Sequence, residues 1–359
     1  MGIPFDEKET TNIKMMPGMF GAPDYPEFNI PITHRENYAA NMRGEGCWVP
    51  TSFDVVWFCP SLDPNNPAKG NVMEAVRFPK EKLGGKDMFG IEWVYQADIG
   101  GSTVMPGAPA LLDANDWQEV IPWPDITTWD WAGGYELNHE WLTAEERCVN
   151  VVIATGWFER LISWMDFENA AIALIDPDQK NAVKRIFEAL TDLYIEMVDA
   201  FLENFPGMID GFTMHDDWGS QRSPFFSIHT VREMIMPSAK RIVDYLHSKN
   251  LYADFHSCGS ILDLVPVMVE LGYDRFEAMP LVDKDEFYHR YGDKLMLTYT
   301  ADPLPDTATD EDYRAAAREF VEKYFNKGSK CLLETYYQPM PEPFMTELYI
   351  ASRKKSAGF

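Results

Sequence analysis

The strongest constraint on the fold is a regular alternation of short apolar runs and longer helical segments after residue 148. The apolar runs have the length of strands and read, in order, VNVVIAT, MIDGFTMH, LYADFHSCG, YDRFEAMP, KLMLTYTA and SKCLLETYY. Between them lie segments such as 178–204 and 310–327, where apolar side chains recur with helical period. Strands that alternate with helices predict parallel βα units. Together with the earlier run VPTSFDVVWFC, they predict an α/β fold, a (βα)8 barrel of the TIM type.

The part before residue 148 predicts additions to this barrel. Residues 1–31 mix proline, glycine and methionine with charge and predict an irregular N-terminal arm. A helix is expected from Ile32 to about Gly44, with Thr33 as N-cap and Glu36 three residues later. The segment at about 60–148 holds few helix signals, a strand-like DMFGIEWVYQAD and a tryptophan-rich stretch, and predicts an insertion. Residues 32–359 are therefore expected to form one barrel domain that carries this insertion.

Charge and composition exclude several classes of partner. The 31 Lys and Arg against 57 Asp and Glu give a net charge of −26, so nucleic acid and anionic membrane surfaces would be repelled. The sequence has no apolar run of the roughly 18 to 20 residues that a membrane helix needs. Its 5 cysteines are widely scattered, which favours reduced thiols in a cytoplasmic protein. Homo-oligomerisation stays open.

Active sites of βα barrels form at the carboxyl ends of the strands, and the run MIDGFTMH ends in one ionisable cluster. Its last residue, His215, is followed by Asp216 and Asp217, which are the candidate catalytic residues. Trp218 and Gln221 follow, and with His215 they are candidate substrate-binding residues. The alternative is that one aspartate caps the next helix and the other is solvated.

The run LYADFHSCG brings the second cluster. Strand alternation sends His256 and Cys258 to the same side, and imidazole with thiolate is a natural zinc donor pair. Because zinc needs at least three protein ligands, a third must come from another strand. Glu334 is preferred to Cys331, since Cys331 lies near the start of its strand, and Tyr336 beside it is a further candidate for substrate binding.

Each of these positions has a second interpretation. His256 and Cys258 are equally compatible with a core histidine and a buried thiol. Glu334 can equally form an ion pair with a lysine or arginine from a neighbouring loop. Other catalytic motifs are missing: no GxGxxG follows a strand, and GxxxxGK[ST], GxSxG and HExxH are absent. This argues against dinucleotide enzymes, P-loop ATPases, serine hydrolases and zincins.

At these residues the sequence resembles a known family. The DDWG turn, the helix RE...P..KRI, the strand end HSCG and the following ELGYD are similar to the uroporphyrinogen decarboxylase superfamily, in its corrinoid-dependent methyltransferase branch. The likeness spans about residues 32–343 and is most specific at its centre, with a weaker match at KLMLTYTADP. The resemblance implies a βα barrel and a zinc ion held at its mouth by histidine and cysteine.

Residue by residue, His256 and Cys258 match the HxC positions of this family. The last strand of the family often supplies another cysteine, whereas the matching region here reads CLLETYYQP. Uroporphyrinogen decarboxylase itself carries an arginine-rich N-terminal segment, whereas this chain has only Arg35 and Arg43 in ITHRENYAANMRGEG. Decarboxylation of a polyanionic porphyrinogen by so acidic a chain is therefore the less attractive assignment.

The resemblance implies a methyltransferase that works with a corrinoid (cobalamin) protein. The leading hypothesis is the methyltransferase of an O-demethylase system, in which zinc activates the oxygen of a small methoxylated, aromatic donor and the methyl group passes to cob(I)amide. Alternative donors are methylamine, methanol, a thiol or tetrahydrofolate. Two further alternatives are a metal-free decarboxylase and a non-catalytic binding protein that retains the barrel.

Overall fold

The computed structural model describes residues 3–16, 24–98 and 100–358 of the chain. Part of the expected N-terminal arm, residues 17–23, lies outside the described residues. Within the described ranges, none of the helices combines the length and the apolar character needed to cross a membrane.

The described strands, numbered along the chain, are short. They are β1 Lys14–Met16, β2 Tyr25–Glu27, β3 Val55–Phe58, β4 Gly85–Lys86, β5 Glu92–Gln96, β6 Gly101–Val104, β7 Cys148–Ile153, β8 Gly211–His215, β9 Tyr252–Ser257, β10 Arg275–Ala278, β11 Met296–Tyr299 and β12 Cys331–Leu333.

The described helices vary from one turn to seven turns. They are α1 His34–Met42, α2 Asn65–Lys69, α3 Trp117–Val120, α4 Trp131–Thr143, α5 Trp157–Met165, α6 Phe167–Ala173, α7 Lys180–Asn204, α8 Ile228–Thr230, α9 Met236–Ser248, α10 Val265–Leu271, α11 Lys284–Tyr291, α12 Asp310–Tyr324 and α13 Glu342–Ala357. A π-helical turn, Val231–Ile235, joins α8 to α9.

The seven predicted strands are present, and they belong to one sheet in the order β12-β11-β10-β9-β8-β7-β3. In this sheet β7 pairs with β8, β8 with β9, β10 with β11 and β11 with β12, and each of these four pairings is parallel. The predicted parallel α/β fold is confirmed at this level. An eighth strand of this sheet is not found among the described residues. In its place Thr51 forms a single parallel bridge with Leu333.

The chain divides into two compact units. The first comprises Met1–Val56, Glu145–Cys148 and Asp274–Phe359, and the second comprises Trp57–Ala144 and Val149–Tyr273. The expectation of a single barrel domain with an arm stays a prediction.

In the second unit, the long helix α7 has the predicted apolar stripe. Its buried face includes Ile186, Leu190 and Met197, which recur at helical spacing. The insertion predicted at about 60–148 forms the three-stranded antiparallel sheet β4-β5-β6. It also holds α4, which begins after Asp130, whose side chain accepts from the Gly133 N–H.

In the first unit, α1 begins with the predicted capping box. The Thr33 side chain accepts from the Glu36 N–H, and the Glu36 carboxylate accepts from the Thr33 N–H. The arm contributes the antiparallel pair β1 and β2. Glu9, which precedes this pair, is held by Arg353 of α13 through two hydrogen bonds of 2.8 and 2.9 Å.

Candidate metal centre

His256 and Cys258 lie on the same side of β9 and its extension, as strand alternation predicts. The Sγ atom of Cys258 is 3.6 Å from Nε2 of His256. Both side chains are part-exposed, whereas Phe255 and Ser257 between and beside them are buried. The alternation therefore turns imidazole and thiol together toward one accessible face.

The neighbouring strand adds two further donors. His215 ends β8 and pairs in register with His256 of β9. Their rings stack with centroids 4.5 Å apart and planes inclined by 23°. Asp217 follows two residues later, and one donor atom each from His215, Asp217 and His256 lie within 4.8 Å of one another. Within the described ranges, this is the cluster of three or more such side chains that can hold a metal ion.

The donor set fits a zinc ion. Tetrahedral zinc with bonds of roughly 2.0 Å to nitrogen and 2.3 Å to sulfur places those two donors about 3.6 Å apart. The distance between His256 Nε2 and Cys258 Sγ has this value, 3.6 Å. His215, Asp217 and His256 offer nitrogen and oxygen donors, and the Cys258 sulfur lies beside His256 but is not one of the three mutually close donors.

Glycine allows the loops after β8 and β9 to run in close contact. Gly259, directly after Cys258, has φ of +93°, and a Cβ atom there would lie 2.3 Å from the Gly219 carbonyl. A side chain at this position would thus be excluded by both backbone conformation and space. The Ser260 N–H donates to the Ser220 carbonyl at 2.8 Å and joins the loops.

A network of charged side chains extends from His215. Its Nδ1 atom lies 2.7 Å from Oε2 of Glu159, which is in the first turn of α5. The other oxygen of Glu159, Oε1, accepts from Nζ of Lys69 at 2.6 Å. A carboxylate that accepts from Nδ1–H leaves Nε2 of the neutral imidazole as the nitrogen with a lone pair.

Electrostatics shifts the pKa values of these groups. Burial acts to raise the pKa of Glu159, but the charges of Lys69 and His215 outweigh it and lower that pKa to about 2. Burial acts to lower the pKa of His215, and the Glu159 carboxylate reverses this, so that the pKa of His215 is raised. For the Cys258 thiol, burial and then the nearby Asp217 raise the pKa. The cluster is thus a site of perturbed titration of the kind that functional sites show.

Asp216, predicted as a catalytic residue, lies fully buried and supports the start of α5. Its carboxylate accepts from the N–H groups of Phe158 at 3.2 Å and Glu159 at 2.8 Å. It also accepts from Nε1 of Trp218 at 2.8 Å. Burial, followed by the Glu159 charge, raises the pKa of Asp216 to about 7. The sequence alternative was that one aspartate caps the next helix, whereas Asp216 accepts from N–H groups at the start of α5, which precedes it in the chain. The catalytic role of Asp216 stays a prediction.

The predicted substrate-binding residues of this loop differ in their exposure to solvent. Trp218 is fully buried, and its ring packs against that of Phe255 at 4.5 Å. Gln221 is exposed to solvent, three residues further along the loop. His215 is part-exposed and joins the candidate metal centre. The substrate-binding roles stay predictions.

Glu334, predicted as the third zinc ligand, lies in the first unit and has its own partners there. Its carboxylate accepts from the N–H groups of Tyr336 at 2.6 Å and Gln338 at 2.9 Å, and from the Ser52 hydroxyl at 3.2 Å. These bonds come from backbone and hydroxyl groups of the first unit, and the role of Glu334 as a zinc ligand stays a prediction. Cys331, its alternative, is fully buried at the start of β12. The second unit alone offers His215 and Asp217 as ligands beside His256 and Cys258.

Sequence reasoning did not find Glu159 and Lys69. Glu159 follows β7 by six residues, so it stands after a strand end like the two clusters that were identified. That position was the available signal. Lys69, at the end of α2 in the insertion, has no comparable signal because only tertiary packing brings it to Glu159.

Comparisons with known proteins bear on the fold. The chain is similar to the structure of a methyltransferase from Methanosarcina mazei, with a TM-score of 0.55 and 16% identity over 90% of this chain and 99% of that chain. At this identity the likeness shows a shared fold. The shared fold agrees with the α/β architecture that the sequence resemblance implied.

Other comparisons add little. No protein-family model matches the chain, and no curated protein matches its sequence. A chitinase from Chromobacterium violaceum aligns with a TM-score of 0.32 and 10% identity over 62% of this chain and 83% of that chain. Dispersin B aligns with a TM-score of 0.30 and 8% identity over 62% of this chain and 76% of that chain. Scores this low carry no argument about fold or activity.

Proposed function

We propose that the chain is a zinc-dependent methyltransferase that moves a methyl group from a small methoxylated donor to the cobalt of a corrinoid protein. The observation that carries the proposal is the pairing of His256 Nε2 and Cys258 Sγ at 3.6 Å, beside His215 and Asp217. The methyltransferase-like fold and the sequence resemblance support it.

In this proposal, His256, Cys258, His215 and Asp217 are the residues that would hold the metal. A zinc ion held there supplies Lewis acidity toward the heteroatom that carries the methyl group. Binding of Cys258 as a thiolate releases its proton, because the thiol of the metal-free site has a raised pKa. Zinc affinity is therefore expected to rise with pH.

The donor set favours an oxygen donor over a thiol. Sites for soft sulfur substrates are rich in thiolates, whereas this cluster offers one thiol with two imidazoles and one carboxylate. An ether or alcohol oxygen suits this harder environment. We take a methoxylated aromatic compound as the preferred methyl donor. Methanol and methylamine are alternative donors to be assayed beside it.

The reaction balances as a single methyl transfer. The bond between the methyl carbon and the donor oxygen breaks, and a bond between that carbon and cobalt forms from the electron pair of reduced cob(I)amide. The departing oxygen keeps its bonding pair and takes one proton from water. The chain's own part is to place the donor: His215 and His256 stack in register and fix one wall of the site.

The test is a panel of methoxyarenes, methanol and methylamines, incubated with zinc-loaded protein and a reduced corrinoid protein. Formation of methylcobalt is followed by its absorption spectrum. The proposal expects methylcobalt with at least one methoxyarene, and loss of both zinc and activity in His256→Ala. The matched control is His229→Ala, an exposed histidine of α8, which is expected to keep both.

Two results would contradict the proposal. Full activity of zinc-free protein would remove the role of the metal. No methylcobalt with any member of the panel would favour the decarboxylase or the non-catalytic alternative, and carbon dioxide release from porphyrinogen would separate those two.

A further inference from the structure

We infer that Glu159 and Lys69 are positioning residues of the metal centre, which hold the His215 ring with Nδ1 as donor and Nε2 as the metal-binding nitrogen. This inference rests on the proposed function, because it assumes that His215 is a ligand. It assigns a task to two residues that lie outside the proposed ligand set and that the sequence resemblance does not identify.

Both carboxylate oxygens of Glu159 take part in a hydrogen bond. Each of its oxygens has one partner: Oε1 lies 2.6 Å from Lys69 Nζ, and Oε2 lies 2.7 Å from His215 Nδ1. An ionised carboxylate only accepts hydrogen bonds, so Nδ1 must carry the proton. A neutral imidazole with its proton on Nδ1 has its lone pair on Nε2. Glu159 thereby selects the tautomer that can bind a metal through Nε2.

Burial makes this selection effective. The side chains of Lys69, Glu159 and His215 have relative solvent exposures of 14%, 12% and 20%. Water therefore competes little for their hydrogen bonds. Lys69 is further confined by the ring of Trp93, whose centroid lies 5.3 Å from Nζ. Charge-assisted hydrogen bonds in such surroundings are strong and directional.

The three residues come from three elements, which fixes their geometry. His215 ends β8, Glu159 lies in the first turn of α5, and Lys69 ends α2 of the insertion. The chain turns away after Lys69 at Gly70, where φ is +80° and a Cβ atom would lie 2.6 Å from the Tyr95 ring. The insertion therefore contributes to the centre indirectly, through the contact of Lys69 with Glu159.

The first test replaces the carboxylate with an amide. In Glu159→Gln, one acceptor oxygen becomes an NH2 donor, so the side chain cannot accept from both Lys69 and His215. Zinc affinity, measured by competition with a chelator, is expected to fall roughly 10- to 100-fold. The matched control is Glu233→Gln, an exposed carboxylate that also accepts from two lysines, at 2.7 and 3.1 Å, and it is expected to leave affinity unchanged.

Two further measurements separate positioning from general structural damage. In zinc-free protein, at a pH high enough to keep the His215 ring neutral, nitrogen-detected NMR of histidine is expected to show His215 protonated on Nδ1, with Nε2–H appearing in Glu159→Gln. Glu159→Asp, which keeps the carboxylate, is expected to recover part of the affinity. Lys69→Met is expected to weaken zinc binding several-fold, whereas a simple charge effect would tighten it by removing a cation.

The outcomes distinguish this inference from the proposed function. If His256→Ala and Cys258→Ala lose zinc but Glu159→Gln binds it as tightly as the parent, the positioning inference is overturned and the metal centre stands. If His256→Ala and Cys258→Ala both keep zinc at full affinity, the proposed function falls first. A fall in affinity for Glu159→Gln together with the tautomer change supports the inference.

Discussion

The backbone N–H of Cys258 donates to Oδ1 of Asp217 at 2.6 Å. This bond joins the end of β9 to the loop after β8, and it sets a candidate carboxylate ligand beside a candidate thiolate ligand. A carboxylate that accepts a backbone hydrogen bond with one oxygen keeps the other available. Asp217 thus has both a structural contact and a place in the proposed centre.

Replacement of Asp217 separates these two tasks. Asp217→Asn keeps an oxygen that accepts from the Cys258 N–H but lacks the charge of a carboxylate. We expect Asp217→Asn to bind zinc more weakly with little change in stability, and Asp217→Ala to lose in addition about 1 kcal/mol of unfolding free energy. Chelator competition and urea unfolding measure both quantities. Parent-like zinc affinity in both variants would remove Asp217 from the ligand set.

Asp216 is expected to behave as a stabilising residue of α5. Asp216→Ala removes the acceptor for the N–H groups of Phe158 and Glu159, and the expected loss of stability is about 1 to 2 kcal/mol. Asp216→Asn keeps an acceptor and is expected to restore part of the stability, with methyl transfer near that of the parent. A severe loss of kcat in a stably folded Asp216→Asn would instead support the catalytic role predicted from the sequence.

The buried Asp63 predicts a pH dependence of stability. Burial raises its pKa from 3.8 to about 7, with the charges of Arg160 and Asp87 as opposing neighbours. Between these two values the folded chain holds a proton that the unfolded chain releases, so the free energy of unfolding falls as pH rises. The slope for one such group is about 1.4 kcal/mol per pH unit.

Asp63→Asn tests that dependence. The variant is expected to flatten the fall in stability between pH 5 and pH 7, measured by urea unfolding at several pH values. A slope equal to that of the parent would show that Asp63 does not titrate in this window.

The ion pair between Glu9 and Arg353 is expected to contribute strongly to the stability of the first unit. Both side chains are almost fully buried, and the Tyr349 hydroxyl donates to Glu9 at 2.7 Å. Arg353→Met leaves the Glu9 carboxylate buried without its cation, and the expected cost is about 3 to 5 kcal/mol. Urea unfolding measures it, and the double variant Glu9→Gln/Arg353→Met is expected to recover part. A loss below about 1 kcal/mol would show that the pair adds little.

The same pair has a defined pH window. Burial acts to raise the pKa of Glu9, but the hydrogen bonds from Arg353 and Tyr349 outweigh it and lower that pKa. The stabilisation is therefore present above the unfolded pKa of roughly 4.3 and is lost as pH falls through the lower folded value.

Local patterns account for the part of the fold that the sequence predicted. The stripe of Ile186, Leu190 and Met197 specifies α7, and the Thr33 capping box specifies the start of α1. The helix α4 was not predicted, since Gly133 and Gly134 in its first turn lower helix propensity. A Cβ atom on Gly134 would lie 2.2 Å from Cδ2 of Leu62, so a larger residue there would have to displace the end of that side chain.

The candidate site was predictable only where its residues share a strand. Alternation predicts the pairing of His256 with Cys258, because both lie on one extended segment. The assignment of His215 and Asp217 to the same centre depends on the register of β8 against β9, which a sequence alone does not supply. The contact between Lys69 and Glu159 spans 90 residues and depends on how the insertion packs.

The most direct test of the central claim is X-ray absorption at the zinc edge of the zinc-loaded protein. The account predicts one zinc per chain with one sulfur ligand at about 2.3 Å and the remaining nitrogen and oxygen ligands at about 2.0 to 2.2 Å, and the sulfur signal disappears in Cys258→Ala. A spectrum without sulfur, or a sulfur signal that persists in Cys258→Ala, would contradict the account.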